Sequence, residues 1–170
     1  SGKPVIIHND SWGGEINGFT IQNGFEPLDS NSWPENDGGG IAIFASDYRA
    51  INLIVRNNQA RWGGGVGVHA HGSYLENILV ENNNAEDGGG LFYGDAGHGF
   101  AKDIKVFNNS SDNLGGGLYF YNGSNINIVN LISQGNSGKY GPGVNAYGYC
   151  YVDIKNALIT DNYAYSSAGG

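Results

Sequence analysis

Leu53-Ile-Val-Arg-Asn57, followed by Gly63-Gly-Gly-Val-Gly-Val-His69, is the stretch that decides the fold. The same order returns at Ile78-Leu-Val-Glu-Asn82 with Gly88-Gly-Gly-Leu-Phe-Tyr93, and again at Ile104-Lys-Val-Phe-Asn108 with Gly115-Gly-Gly-Leu-Tyr-Phe-Tyr121. Working outward, glycine clusters begin at Gly38, Gly63, Gly88, Gly115, Gly141 (as Gly-Pro-Gly) and Ala168 (as Ala-Gly-Gly), at separations of 25, 25, 27, 26 and 27 residues. Phe19-Thr-Ile-Gln-Asn23 precedes the series, and looser copies, Leu131-Ile-Ser-Gln-Gly-Asn136 and Leu158-Ile-Thr-Asp-Asn162, close it. One repeat is therefore a strand, a polar turn, a second strand, an Asn turn and a glycine cluster. Self-similarity at a fixed period of this length is the mark of a solenoid, in which each unit buries its apolar face on its neighbours.

Composition agrees. The 170 residues include 30 Gly, no Met and only 14% charged residues, against about 25% charged in an average soluble protein. Asn, Gly, Tyr and β-branched residues favour strands broken by turns over helices. Leucine-rich repeats share the period, but their convex side needs a helix or more leucines, and Gly and polar turns occupy that space here. Calcium-binding β-rolls need a nine-residue Gly-Gly-x-Gly-x-Asp repeat, which is absent. An all-β, single-stranded parallel β-helix of about six coils of about 26 residues remains.

Alternation then assigns the interior. Ile41, Val66, Leu91, Leu118 and Val144 should form one inward ladder, and Ile43, Val68, Tyr93, Phe120 and Ala146 a second, with Val55, Val80 and Val106 from another sheet. With coils about 4.8 Å apart, Asn57, Asn82, Asn108, Asn136 and Asn162 should stack as a ladder of bonded amides. Gly38, Gly63, Gly88, Gly115 and Gly141 should supply backbone angles closed to other residues. These positions are read as architecture.

The order of apolar strand, Asn, short gap and Gly-Gly-Gly-[Ile/Val/Leu] resembles the right-handed β-helix repeats of the pectate-lyase-like superfamily. Within it, the pattern looks most like that of bacterial surface proteins such as the chlamydial polymorphic outer-membrane proteins, whose repeats carry Gly-Gly-Ala-[Ile/Leu/Val]. A third Gly stands here where those repeats have Ala. The resemblance runs from Ile16 onward and implies a right-handed coil, as the general crossover rule also requires. It is specific for fold and weak for function.

Enzymes on this fold act on acidic polysaccharides. Gly97-His98-Gly99 matches one polygalacturonase element, yet the accompanying Asn-Thr-Asp, Asp-Asp and Arg-Ile-Lys elements are absent; Asp103-Ile-Lys105 and Asp153-Ile-Lys155 lack the Arg. No basic residue lies beside an obvious acidic cluster, as a calcium-dependent lyase would need. Asp37, Glu86, Asp87 and Asp112 could be imagined as ligands for a bound calcium, but no motif supports it, and solvated turn residues are the expectation. His69 and His71 lack a third metal ligand and are expected to be exposed. No cofactor or metal is expected, and no catalytic residue.

The remaining feature is a row of aromatics alternating with the inward ladder: Phe44, His69, Phe92, Tyr119, Tyr121 and Tyr147, with His8 before it and Tyr149 after it. Outward aromatics in a row point to a contact surface, and their flat faces with polar edges suit sugar rings. Trp33 joins this set from an insertion at residues 24–37, which either binds or covers one flank. The expected function is non-catalytic adhesion or carbohydrate contact by an extracellular or cell-surface protein. The alternatives are a self-assembling, filament-forming solenoid and a fragment of a polysaccharide lyase or glycoside hydrolase.

A net charge of −8 argues against a nucleic-acid partner, and no run of about 20 apolar residues could span a membrane. Ser1–Asp10 lacks the pattern of a signal peptide. Cys150 is alone, which rules out an internal disulfide, and is expected as a small buried hydrophobe on a strand. The partners expected are a polysaccharide or glycan surface, or copies of the same chain end to end. Residues 1–170 read as one segment, either an excerpt of a longer solenoid or a unit whose bare ends stack.

Overall fold

A computed structural model describes residues 5–8, 12–26, 37–44, 47–69, 71–95 and 97–165. Among them every regular element is a strand, and every pairing is parallel. The first sheet stacks β1 (Ile6–His8), β4 (Ile41–Ile43), β7 (Val66–Val68), β10 (Leu91–Tyr93), β13 (Leu118–Tyr121) and β16 (Val144–Tyr147) in that order. The second runs β2 (Glu15–Asn17), β5 (Arg49–Arg56), β8 (Ser73–Glu81), β11 (His98–Phe107), β14 (Asn125–Gln134) and β17 (Tyr151–Thr160), with β3 (Thr20–Gln22) also on β5. The third is the short set β6 (Gln59–Trp62), β9 (Asn84–Asp87), β12 (Ser110–Ser111), β15 (Ser137–Gly138) and β18 (Tyr163–Ala164). Apart from β2 and β3, which both pair with β5, consecutive strands fall in different sheets, and every third returns to the first, so the chain winds about five turns of a three-sided coil.

The registers match the apolar ladders. Ile41, Val66, Leu91, Leu118 and Val144 are mutual partners, as are Ile43, Val68, Tyr93, Phe120 and Ala146. Val55 pairs with Val80 and Val80 with Val106, and all three are buried. The interior is one continuous apolar column from Ile21 to Leu131.

The corners show why glycine recurs. Gly38, Gly63, Gly88, Gly115 and Gly141 all have φ between 52° and 67°, where a Cβ is penalised. The third glycine is held by a different constraint. A Cβ on Gly65 would stand 2.7 Å from Val80 Cγ1 and 2.8 Å from the Gly90 carbonyl, so the coil below leaves no room for the Ala found in the similar surface-protein repeats.

The asparagine ladder is one residue out of place from the sequence expectation in three coils. Its rungs are Asn58, Asn83, Asn109, Asn136 and Asn162, each Nδ2 donating to the next Oδ1 at 2.9–3.0 Å. Asn57, Asn82 and Asn108 are instead exposed, with φ near 54°; they make the left-handed step that turns the following Asn inward. In the last two coils Gly135 and Asp161 take that step, also at positive φ, so Asn136 and Asn162 are ladder members as expected. A second, exposed ladder crosses the long strands: Asn52 donates to Asn17, Asn77 to Asn52, Asn130 to Asp103 and Asn156 to Asn130. Asn52, Asn77, Asp103, Asn130 and Asn156 also share positive φ, so each long strand kinks at its centre. Cys150 sits at the corner before β17, half-buried, with its Sγ 3.3 Å from the Tyr147 carbonyl.

Candidate functional site

The outer face of the first sheet carries the aromatic row, because residues alternating with an inward ladder must point away from it. Register stacks them directly: Phe92 pairs with Tyr119, Tyr119 with Asn145, and Tyr121 with Tyr147. Ring centroids follow from coil to coil from Phe44 to His69 (5.3 Å), His69 to Phe92 (5.2 Å) and Phe92 to Tyr119 (5.6 Å), step along β13 from Tyr119 to Tyr121 (5.9 Å), and continue to the next coil from Tyr121 to Tyr147 (6.1 Å). Spacings of this size are those of attractive ring pairs.

The row is not the open surface that alternation suggests. Phe92 and Tyr119 are only 2% and 3% exposed, while Tyr121 is 36% and Tyr147 64% exposed. Each inner ring is packed between its neighbours, and Trp62 of β6 leans across the corner onto Phe92 at 6.3 Å. Trp33 and the interior of the 24–37 insertion lie outside the described residues, as does the side chain of His8. Tyr149 is fully exposed at the corner before β17, at φ 53°, and makes no contact with the row among the ring pairs described.

Three carboxylates and a histidine border these rings. His69, expected to be exposed, has a side chain only 5% exposed; its Nε2 lies 2.6 Å from Oδ2 of Asp37 and its Nδ1 3.5 Å from Oδ2 of Asp95. Asp37, expected as a solvated turn residue, is completely buried. Among the described residues neither the Asp37 oxygens nor the His69 nitrogens make a further contact of hydrogen-bond geometry beyond those between His69 and the two carboxylates. Burial pushes the Asp37 carboxyl above its ordinary value, with the His69 contact and Arg61 pulling the other way and Asp95 adding to the rise. Asp87 is also raised by burial, against a hydrogen bond from the Leu114 N–H at 2.9 Å and bonds from Trp62 and Asn113. Burial likewise raises the Tyr119 phenol.

Together Trp62, His69, Asp87, Phe92, Asp95, Tyr119 and Tyr121 line a groove of about 300 Å³. That is the lower end of the range for small-molecule sites. Among the described residues no lysine or arginine lines it; the guanidinium of Arg61 lies over the Trp62 ring at 4.5 Å and bonds Glu86 at 3.0 Å. His71 and His98 pack against each other with centroids 4.9 Å apart and rings tilted by 31°, both exposed, away from this lining set. Among the described residues no three His, Cys, Asp or Glu side chains are grouped to hold a metal ion.

Comparison with known families adds one decisive finding: the profile of the right-handed β-helix region matches residues 4–170. The chain belongs to the right-handed β-helix family. The hand of this β-helix is thereby fixed. No curated protein and no solved structure matches the chain, and the outer-membrane-protein flavour of its repeats stays a resemblance. Sequence reasoning found Phe92, Tyr119, Tyr121 and His69 of the groove but missed Trp62 and Asp95. Trp62 directly precedes a glycine cluster and Asp95 follows a post-glycine strand, so their places in the repeat, and not their types, were the available signal.

Proposed function

We propose that this β-helix binds a carbohydrate chain, without cleaving it, in the aromatic groove outside its first sheet. One observation carries the reading: four rings and two carboxylates from neighbouring coils converge on a groove large enough for a sugar unit. Rings supply flat apolar faces, and Asp87, Asp95 and the phenol of Tyr121 supply groups that accept hydrogen bonds from hydroxyls. Such a site suits an adhesive protein at the cell surface. Tyr121 and Tyr147 prolong the platform beyond the groove, stacked within 4° of parallel, along the direction a linear polymer would take.

The test is a glycan array read with the protein and with Trp62→Ala and Tyr121→Ala. A shared set of bound glycans, lost or weakened about tenfold in both variants with circular dichroism unchanged, is the expected result. Binding that survives both substitutions refutes the groove as the site. Release of reducing or unsaturated ends from a bound polymer refutes the non-catalytic part.

A further inference from the structure

We infer that the groove is built for a glycan bearing protonated amines, a glucosamine-type polymer, and not for a uronate. The inference rests on the carbohydrate reading above and narrows it.

Charge is the first argument. Asp87 and Asp95 line the groove, and Asp37 is buried directly behind His69. Arg61, beside the lining residue Trp62, is engaged by Glu86 and by the face of Trp62. A sugar carboxylate placed here would meet carboxylates, and no lysine or arginine among the described residues lines the groove to receive it, whereas an ammonium would find charge partners and acceptors in Asp87 and Asp95. The second argument is the rings. Trp62, Phe92 and Tyr119 stand 5.6–6.3 Å apart in sequence across the groove floor, and the π-faces of such rings attract a cation held within about 6 Å. Third, His69 in the wall already faces carboxylates of the protein, with Nε2 2.6 Å from Asp37 and Nδ1 3.5 Å from Asp95, and both its nitrogens are buried, so it offers no donor to a uronate.

Calorimetry with oligomers of glucosamine, of N-acetylglucosamine and of galacturonate, equal in length and at physiological salt, tests this directly. The glucosamine oligomer should bind at least about tenfold more tightly than its N-acetylated counterpart, and the galacturonate oligomer more weakly than either. Asp95→Asn should erase most of that tenfold preference. Its fold should persist, since Asp95 has φ 50° and accepts from Asn122 through Oδ1, and Asn tolerates that conformation and keeps that oxygen. Asp153→Asn, on β17 and paired with Lys155 at 3.0 Å, should leave the preference intact. Equal affinity for the aminated and acetylated oligomers overturns the inference while the carbohydrate reading stands. A preference for galacturonate, or an equal loss in Asp153→Asn, overturns it as well. No binding of any oligomer overturns both.

Discussion

Replacing Asn109 with Ala removes the middle rung of the inner amide ladder. Asn109 Oδ1 accepts from the Asn83 N–H at 2.9 Å and from Asn83 Nδ2 at 2.9 Å, while Asn109 Nδ2 donates to the Val80 carbonyl and to Asn136 Oδ1 at 3.0 Å each. All four bonds are buried, and Ala can make none of them. At about 1 kcal/mol net for each buried bond, the variant should lose about 4 kcal/mol. Its neighbour Asn108 is the contrast. That side chain is exposed and only its backbone is special, at φ 53°, so Asn108→Ala should lose only about 1 kcal/mol, the cost of a Cβ in the left-handed region. Urea unfolding followed by circular dichroism separates the two, as does thermal unfolding, with expected drops in Tm of about 10 °C and about 3 °C. Asn108→Gly should be close to neutral, because Gly takes positive φ freely. A loss in Asn108→Ala equal to or greater than that in Asn109→Ala would refute the reasoning and restore Asn57, Asn82 and Asn108 as the structural rungs.

Gly65→Ala should destabilise by about 1–3 kcal/mol, since its methyl would press on Val80 and the Gly90 carbonyl of the next coil; urea midpoints check this. Asp37→Asn should raise Tm at neutral pH. The folded-state pKa of Asp37 lies above its ordinary value of 3.8, so the native state holds the proton more tightly and ionisation costs stability as pH rises between the two values. The advantage of the Asn variant should therefore shrink as pH falls toward 3.8, the ordinary Asp value; an advantage that is constant with pH, or that grows on acidification, contradicts the assignment. In the groove, Tyr121→Ala and Trp62→Ala should weaken glycan binding without loss of fold.

Most of the architecture was legible because a solenoid writes its period into the chain. Alternation about Ile41, Val66, Leu91, Leu118 and Val144 gives both the inward ladder and, by exclusion, the outward aromatic row. Choosing between Asn57 and Asn58 was harder, since an Asn-Asn pair satisfies either register. The answer lay in the later coils: the first position becomes Gly135 and Asp161, both tolerant of positive φ, while the second stays Asn at Asn136 and Asn162. The central kinks at Asn52, Asn77, Asp103, Asn130 and Asn156 carried the same signal, a polar residue recurring inside an apolar run. Burial of Phe92 and Tyr119 had no such signal. Alternation tells which face a ring leaves by, and says nothing of what arrives from the next corner, here Trp62. Asp37 and His69 lie 32 positions apart, at the end of an insertion and after a strand, and only the coil geometry brings them together.

The measurement that bears most directly on the central claim is amide and indole chemical-shift mapping of the labelled protein titrated with glucosamine and N-acetylglucosamine oligomers. The perturbations should gather on the Trp62 indole, Asp87, Phe92 to Asp95 and Tyr119 to Tyr121, and spare the outer face of β8, β11 and β14. Shifts that centre on that other face, or a spectrum that no oligomer alters, would contradict the account.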